Sequence, residues 1–367
     1  MMLEAEGEAV LAPLGVPAGQ NYHPPLQSPG DVALEHVFEL GHLEEAARKC
    51  KRGVSWKREV QSFHLNMILN CVQLQEQVLA ETWRPGKGRT FLIHERGKPR
   101  LITSCPFTDR VVQRTLCDYA LLPTLREQLV FSNGACIPGK GTSFALDQLE
   151  RDLRAHYSEF GFNGGIMLFD FSRYFERIPV DRSVQGFARL LSDLRLVNLV
   201  ELCLGGRGKV GLGLGSQVSQ LAAVLYPDSV DHWLVDDVGA RYGRYMDDGY
   251  VIWPDWDDLW RIGREFERLC GNLEIVMNPR KFRFIRIGEE FVFLKTCFQL
   301  LSNGDVQRRI PVEVYRRQRR RVKRLCRLVD RRVMSAADLE RSLASWSGVL
   351  QRARNCTERG KAHSDVW

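Results

Sequence analysis

Two adjacent carboxylates, Asp247 and Asp248, lie in Arg244-Tyr245-Met246-Asp247-Asp248-Gly249-Tyr250, between stretches rich in aromatic and β-branched residues. A hairpin is expected, with Asp-Asp-Gly as its turn and Gly249 tolerating positive φ. Neighbouring aspartates repel and raise each other's pKa, which a divalent cation at the tip would relieve. The simpler alternative is an ordinary Asp-Gly turn. A third carboxylate weighs against it: Asp170 ends an apolar run from Ile166 to Phe169 that reads as a buried strand, where an uncompensated charge is costly. One Asp at a strand end plus an Asp pair on a hairpin is the minimal set for two Mg²⁺ ions. Such ions take oxygen ligands and clamp the attacking and leaving oxygens of an in-line phosphoryl transfer.

The flanking segments have a related logic. Lys98-Pro99-Arg100-Leu101-Ile102 follows the turn-like Glu95-Arg96-Gly97 and reads as a basic hairpin, in which an Arg grips a triphosphate bidentately and a Lys supplies a point charge. Thr108 to Gln113 opens a helical pattern with a stop expected at Pro123. Gly-rich Pro138-Gly139-Lys140-Gly141-Thr142-Ser143 precedes a helix expected from Phe144 to His156. In Gly211-Leu212-Gly213-Leu214-Gly215-Ser216-Gln217-Val218-Ser219-Gln220, alternate glycines rule out a stable helix or strand interior, so the backbone is expected to approach something closely. Asn278-Pro279-Arg280-Lys281 carries a cation able to stabilise developing negative charge. Phe291-Val292-Phe293-Leu294-Lys295 reads as a short strand, and Asn303-Gly304 as a hairpin turn.

Tyr-Met-Asp-Asp with an upstream Asp-x-x-x-x-Phe resembles the palm of a reverse transcriptase, and the order of the other motifs agrees from Lys98 to Trp346. The resemblance implies an α+β right-hand polymerase with fingers, a palm built on an antiparallel sheet, and a helical thumb. It implies Asp170, Asp247, Asp248 and Lys281 as catalytic residues, with Phe171 beside the three aspartates in the metal set for two Mg²⁺, Mn²⁺ being a substitute. Lys98, Arg100, Phe175, Leu214, Gly215, Ser216 and Gln220 would meet the nucleotide, Phe175 as the wall against a sugar 2′-hydroxyl. Lys140 would touch the template strand, and Phe293, Leu294 and Lys295 would form a primer grip. Leu214 stands where most of that family has Gln. With Ser219-Gln220, Tyr226 and Asp231-His232, this resembles the reverse transcriptases of diversity-generating retroelements, which copy template adenines unfaithfully. The partners then expected are template RNA, primer and cDNA, deoxynucleoside triphosphates and a small helical accessory protein. The alternatives are an antiviral-defence or retron-like reverse transcriptase and, from another class, an inactive RNA-binding scaffold, against which the three intact carboxylates weigh.

The chain has 367 residues, 44% hydrophobic and 26% charged, enough for more than one core. Its net charge of +7, from 52 basic and 45 acidic residues, is concentrated near the C-terminus. There Arg316, Arg317, Arg320, Lys323, Arg324 and Arg327 share a helical pattern with an apolar stripe of Val322, Leu325, Leu328 and Val329, as suits a helix tracking phosphates. Ten scattered cysteines without Cys-x-x-Cys spacing read as reduced thiols in a cytoplasmic protein, which the resemblance implies to be bacterial or phage-encoded. No apolar run is long enough to span a membrane. The expected organisation is a mobile tail over 1–30, N-terminal helices and fingers over 31–165, a palm over 166–310 with a helical insertion at 181–210, a basic thumb over 311–357 and a tail over 358–367. Asp31 is expected to cap the first helix, and Val60 to Trp83 carries a long helical pattern. So short a tail is expected to leave no room for an RNase H, endonuclease, maturase or DNA-binding domain.

Overall fold

The structure, a computed structural model, describes residues 32–95, 98–206 and 208–353. The expected tails, and Asp31, lie outside them. The fold is α+β, and all its named strand pairs are antiparallel. Strands β1 (Arg89–Glu95) and β2 (Lys98–Ser104) form an isolated hairpin. Strands β3 (Gly165–Asp170), β4 (Arg241–Tyr245), β5 (Asp248–Trp253) and β6 (Arg283–Arg286) form a sheet of order β4-β5-β3-β6. Strands β7 (Phe291–Phe293), β8 (Thr296–Leu300) and β9 (Val306–Arg309) form a third sheet in chain order, with Asn303 and Gly304 in the β8–β9 turn.

The central strand β3 is buried throughout, and its alternation divides the interior. Met167 and Phe169 join a core with Leu259, Ile262 and Phe266 of the helix Trp256–Asn272. Ile166 and Leu168 join another with Tyr250, Ile252, Phe293, Phe298 and, from the helix Thr142–Phe160, Leu146, Leu149 and Leu153. The charge of Asp170 comes where this run ends.

Two local expectations are corrected. Pro123 does not stop its helix: Phe107–Leu116 widens at Cys117–Leu121, where Leu122 N–H donates to Cys117 O, and continues as Leu122–Gln128. The wider turn accommodates the proline ring, and Thr124 Oγ1 donates to the Ala120 carbonyl (2.9 Å). The pattern from Val60 to Trp83 is two helices, Arg58–Leu65 and Met67–Leu79, broken where Asn66 leaves helical dihedrals (φ −122°, ψ 44°). The first described helix, Leu34–Val37, has its Leu34 N–H bonded to Asp193 Oδ2 (2.9 Å); the same carboxylate caps the helix Leu194–Leu204 through Arg195 N–H (2.9 Å). A cap can thus come from a residue 159 positions away.

One buried ion pair organises the region around β4. Arg244 is 1% exposed, the largest fully buried side chain among the described residues. Its Nε donates to Asp231 Oδ1 (3.0 Å) and its Nη2 to Asp231 Oδ2 (2.5 Å), while Tyr242 Oη donates to Asp231 Oδ1 (2.5 Å). Its Nη1 donates to Met246 O (3.0 Å), and its Nη2 also to Val224 O (2.8 Å). One side chain therefore ties the β4–β5 turn to the helices Gln217–Leu225 and Asp228–His232. Asp231→Ala should lower unfolding free energy by about 3–5 kcal/mol, because it strands a buried guanidinium. Urea titration followed by far-UV circular dichroism checks this, and a loss under about 1 kcal/mol would remove the pair from its organising place.

Candidate active site at the sheet end

The β4–β5 turn differs from its expected form. Tyr245 pairs with Asp248, so the turn residues are Met246 and Asp247, and the positive φ falls on Met246 (57°). Gly249 lies within β5 and is needed for space: a Cβ there would stand 2.1 Å from the Phe169 ring. The close packing lets β3 and β5 run together to their ends, where Asp170 and Asp248 are direct cross-strand partners. Such partners project on the same face, a few ångströms apart.

The backbone around the pair is closed by hydrogen bonds. Phe171 N–H donates to Asp247 O (2.9 Å), and Asn278 N–H to Asp170 O (2.8 Å). The Asn278 amide nitrogen also donates to Asp170 Oδ1 (2.7 Å). Lys281 Nζ donates to Asp170 Oδ2 and to Asp248 Oδ1 (3.0 Å), so one ammonium bridges the two carboxylates. Burial pushes the Asp248 carboxyl up to about 6; Lys281 opposes this, and Asp247 and Asp170 push the same way. Burial pulls the Lys281 ammonium down, but its bonds to Asp170 and Asp248 outweigh that and leave its pKa raised.

Among the described residues, no group of three or more His, Cys, Asp or Glu side chains is gathered closely enough to hold a metal ion. The donor chemistry nevertheless fits a hard divalent cation: carboxylate oxygens, one with its proton affinity raised, around a single half-exposed ammonium on a flexible stem. Phe171 has its ring buried among Phe169, Tyr174 and Phe266, so only its backbone could serve a metal.

The Gly-rich loop docks on β2. Thr103 N–H donates to Leu214 O (3.2 Å), and Gly215, at φ 113°, leaves no room for a Cβ, which would stand 2.6 Å from Thr103 O. Leu212 N–H donates to Phe175 O (2.6 Å), bringing the half-buried Phe175 against this loop. Ser216 is buried: its oxygen caps the helix Gln217–Leu225 through Ser219 N–H, and its hydroxyl donates to Gln113 Oε1 (3.1 Å). In this structure the bond to Gln113 holds the loop to the helix Phe107–Leu116. Gly215 and Gln220 are exposed and Leu214 is half-buried. Lys98 and Arg100 lie on β2, their side chains outside the description.

The other expected contacts are dispersed. Lys140 Nζ donates to Phe131 O (2.6 Å) and stands over the Phe131 and Phe144 rings, at 4.7 and 5.0 Å. Phe293 is buried edge-on to Tyr250, whereas Leu294 and Lys295 leave the expected strand for a tight turn with φ 43° and 67°. That backbone is uncommon for residues other than glycine. Arg316, Arg317, Arg320, Lys323, Arg324 and Arg327 are exposed along the helix Val312–Asp330, in an arc opposite its apolar stripe, of which only Leu325 is buried. Sequence reasoning missed Arg244, Asn278 and Gln113 as positioning residues. The signal for Arg244 was there: period-2 alternation puts it on the inward face beside Tyr242.

No known family profile matches the chain, and no curated protein matches it either. Among solved structures, apo telomerase from Candida tropicalis truncated from its C-terminal domain is similar at 13% identity and a TM-score of 0.48, over 66% of this chain and 60% of that one. Telomerase from Candida albicans, in complex with a TWJ fragment of telomeric RNA, is similar at 10% identity and a TM-score of 0.47, over 60% and 45%. Apo telomerase from Candida tropicalis is similar at 13% identity and a TM-score of 0.47, over 61% and 48%. The similarity therefore spans between 45% and 60% of the length of those chains.

Proposed function

We propose that this chain is an RNA-directed DNA polymerase that extends a primer on an RNA template. The observation that carries the reading is the placement of Asp170 opposite Asp248 at the sheet end, with Asp247 in the adjoining turn and Lys281 bridging the facing pair. Carboxylates forced together in a partly desolvated site favour a cation among them. Asp170, Asp247 and Asp248, with the Phe171 backbone, would hold two Mg²⁺ or substituting Mn²⁺ ions. When bound, the ions supply Lewis-acid stabilisation of the attacking 3′-hydroxyl and the leaving pyrophosphate. Lys281 would release the carboxylates and turn to the pyrophosphate, giving it charge or a proton.

The remaining roles follow the arrangement. The β1–β2 hairpin acts as fingers, Lys98 and Arg100 meeting the triphosphate. The four-stranded sheet is the palm, and the helices Val312–Asp330 and Ala336–Ala353 form a thumb whose exposed arginines follow phosphates. Phe175, held against the Gly-rich loop, excludes a 2′-hydroxyl. Leu214 supports the finer reading, an error-prone enzyme of a diversity-generating retroelement working with a small helical accessory protein. An apolar contact discriminates mispairs less than a hydrogen bond does. Among the described residues no helix is long and apolar enough to cross a membrane.

Three measurements test the proposal. Asp247→Asn should cut nucleotide incorporation on a primed RNA template by more than about 100-fold, beyond what outer-shell partners of a metal cost, with the melting temperature unchanged; near-normal extension would sink the mechanism. Lys281→Ala should lower stability by about 1 kcal/mol without divalent ions and show a larger Mg²⁺-induced rise in melting temperature than the parent, since the ion no longer displaces an ammonium. Equal Mg²⁺ responses would show that the two cations do not compete. Sequencing cDNA from the parent and Leu214→Gln should find errors concentrated opposite template adenine and lowered several-fold by the substitution; uniform low error rates would defeat the retroelement reading and leave reverse transcription standing.

A further inference from the structure

The turn between the helices Leu40–Lys51 and Arg58–Leu65 has no part in that site. With the helix ends that flank it, it reads Lys51-Arg52-Gly53-Val54-Ser55-Trp56-Lys57-Arg58, four cations and an indole with no carboxylate. Trp56 is 74% exposed, with the Lys57 ammonium 5.9 Å from its ring centroid. The turn is built: the N–H groups of Arg52, Val54 and Lys57 donate to Lys49 O, Lys51 O and Val54 O, and Val54 packs on the core. The cations just before it are neutralised, Arg48 by Glu44 and Lys49 by Glu45 and Asp118. Lys51, Arg52, Lys57 and Arg58 have no carboxylate partner among the described residues, and Lys51, Arg52 and Arg58 are exposed.

Unpaired cations around an exposed indole leave both apolar surface and charge uncompensated. A protein interface core is depleted in charge and needs contiguous apolar surface, whereas Trp56 is the only large apolar side chain exposed in this turn. Leu65 is exposed at the other end of the helix Arg58–Leu65, about 10 Å along its axis at 1.5 Å per residue, and Ile68 and Leu69 are exposed on the next helix, Met67–Leu79. A polyanion with flat π faces satisfies both needs at once. We propose that this turn binds a single-stranded polynucleotide, with a base stacked on Trp56 and phosphates held by Lys51, Arg52, Lys57 and Arg58. The inference stands apart from the proposed polymerase activity, because such binding needs neither the aspartates nor a nucleotide.

The test uses the full chain without divalent ions and a 12-nucleotide oligo(U) carrying one 4-thiouridine. Fluorescence anisotropy should show Trp56→Ala binding roughly ten-fold more weakly and Trp56→Phe retaining most of the affinity, since stacking tolerates any aromatic face. Arg52→Ala with Arg58→Ala should flatten the slope of log affinity against log salt by about 1.4, the value for two phosphate contacts on a single strand. Photocrosslinked peptides should include Trp56, and melting temperatures should match the parent because the altered side chains are exposed. An affinity for Trp56→Ala within two-fold of the parent, crosslinks confined to other segments, or equal losses for the Phe and Ala variants would overturn the proposal and leave the turn to a protein partner.

Discussion

The arrangement of this protein depends on the burial of the Arg244 guanidinium. Taking such a charge out of water costs several kcal/mol, and the cost is offset only if every donor finds an acceptor with good geometry. Asp231, Met246 O and Val224 O accept from all three guanidinium nitrogens, so the β4–β5 turn, the helix after the Gly-rich loop and the helix carrying Asp231 cannot move independently without stranding a charge. Tyr242 uses the same carboxylate, which leaves little tolerance for a shifted register in β4.

From that constraint follows the placement of the facing carboxylates. The turn is pinned at Met246, Gly249 lets β5 close on the Phe169 ring, and Asp248 is carried to the position opposite Asp170. Two anions at the end of a buried strand would repel, and the ammonium of Lys281 offsets this while remaining half exposed on a mobile type of side chain. Asn278 holds Asp170 by both backbone and side chain, leaving the Lys281-bound oxygen as the more exchangeable one. A rigid frame around an exchangeable counter-charge is what a cation-dependent site requires.

The second frame joins the β1–β2 hairpin to the helices beneath it. Backbone bonds and the missing Cβ of Gly215 seat the loop on Thr103, and Gln113 reaches Ser216 from the helix Phe107–Leu116. Leu212 bonded to Phe175 O joins the same loop to the segment after β3. The loop lies where three parts of the chain meet, and Gly211 and Gly215 answer to backbone approach on two sides, from Glu176 O and Thr103 O.

The sequence alone determined the local chemistry: the three aspartates, the hairpin that carries two of them, the apolar strand that ends in the third, the basic amphipathic helix and the Gly-rich loop were legible because each rests on residue type and short-range period. The exact turn was not legible, since Asp-Asp-Gly and Met-Asp both suit one; the Phe169 ring across the sheet decided it by excluding any side chain at Gly249. Pro123 and Asp193 show the same limit, for a wide helical turn and a cap from 159 residues away follow from packing rather than local propensity. Lys281 as the bridge between Asp170 and Asp248, and Arg244 as the tie behind them, are 111 and 33 positions and then 13 positions from their carboxylate partners. Only the tertiary structure brings such charges together, because Coulomb attraction depends on distance in space and on the water excluded by the fold.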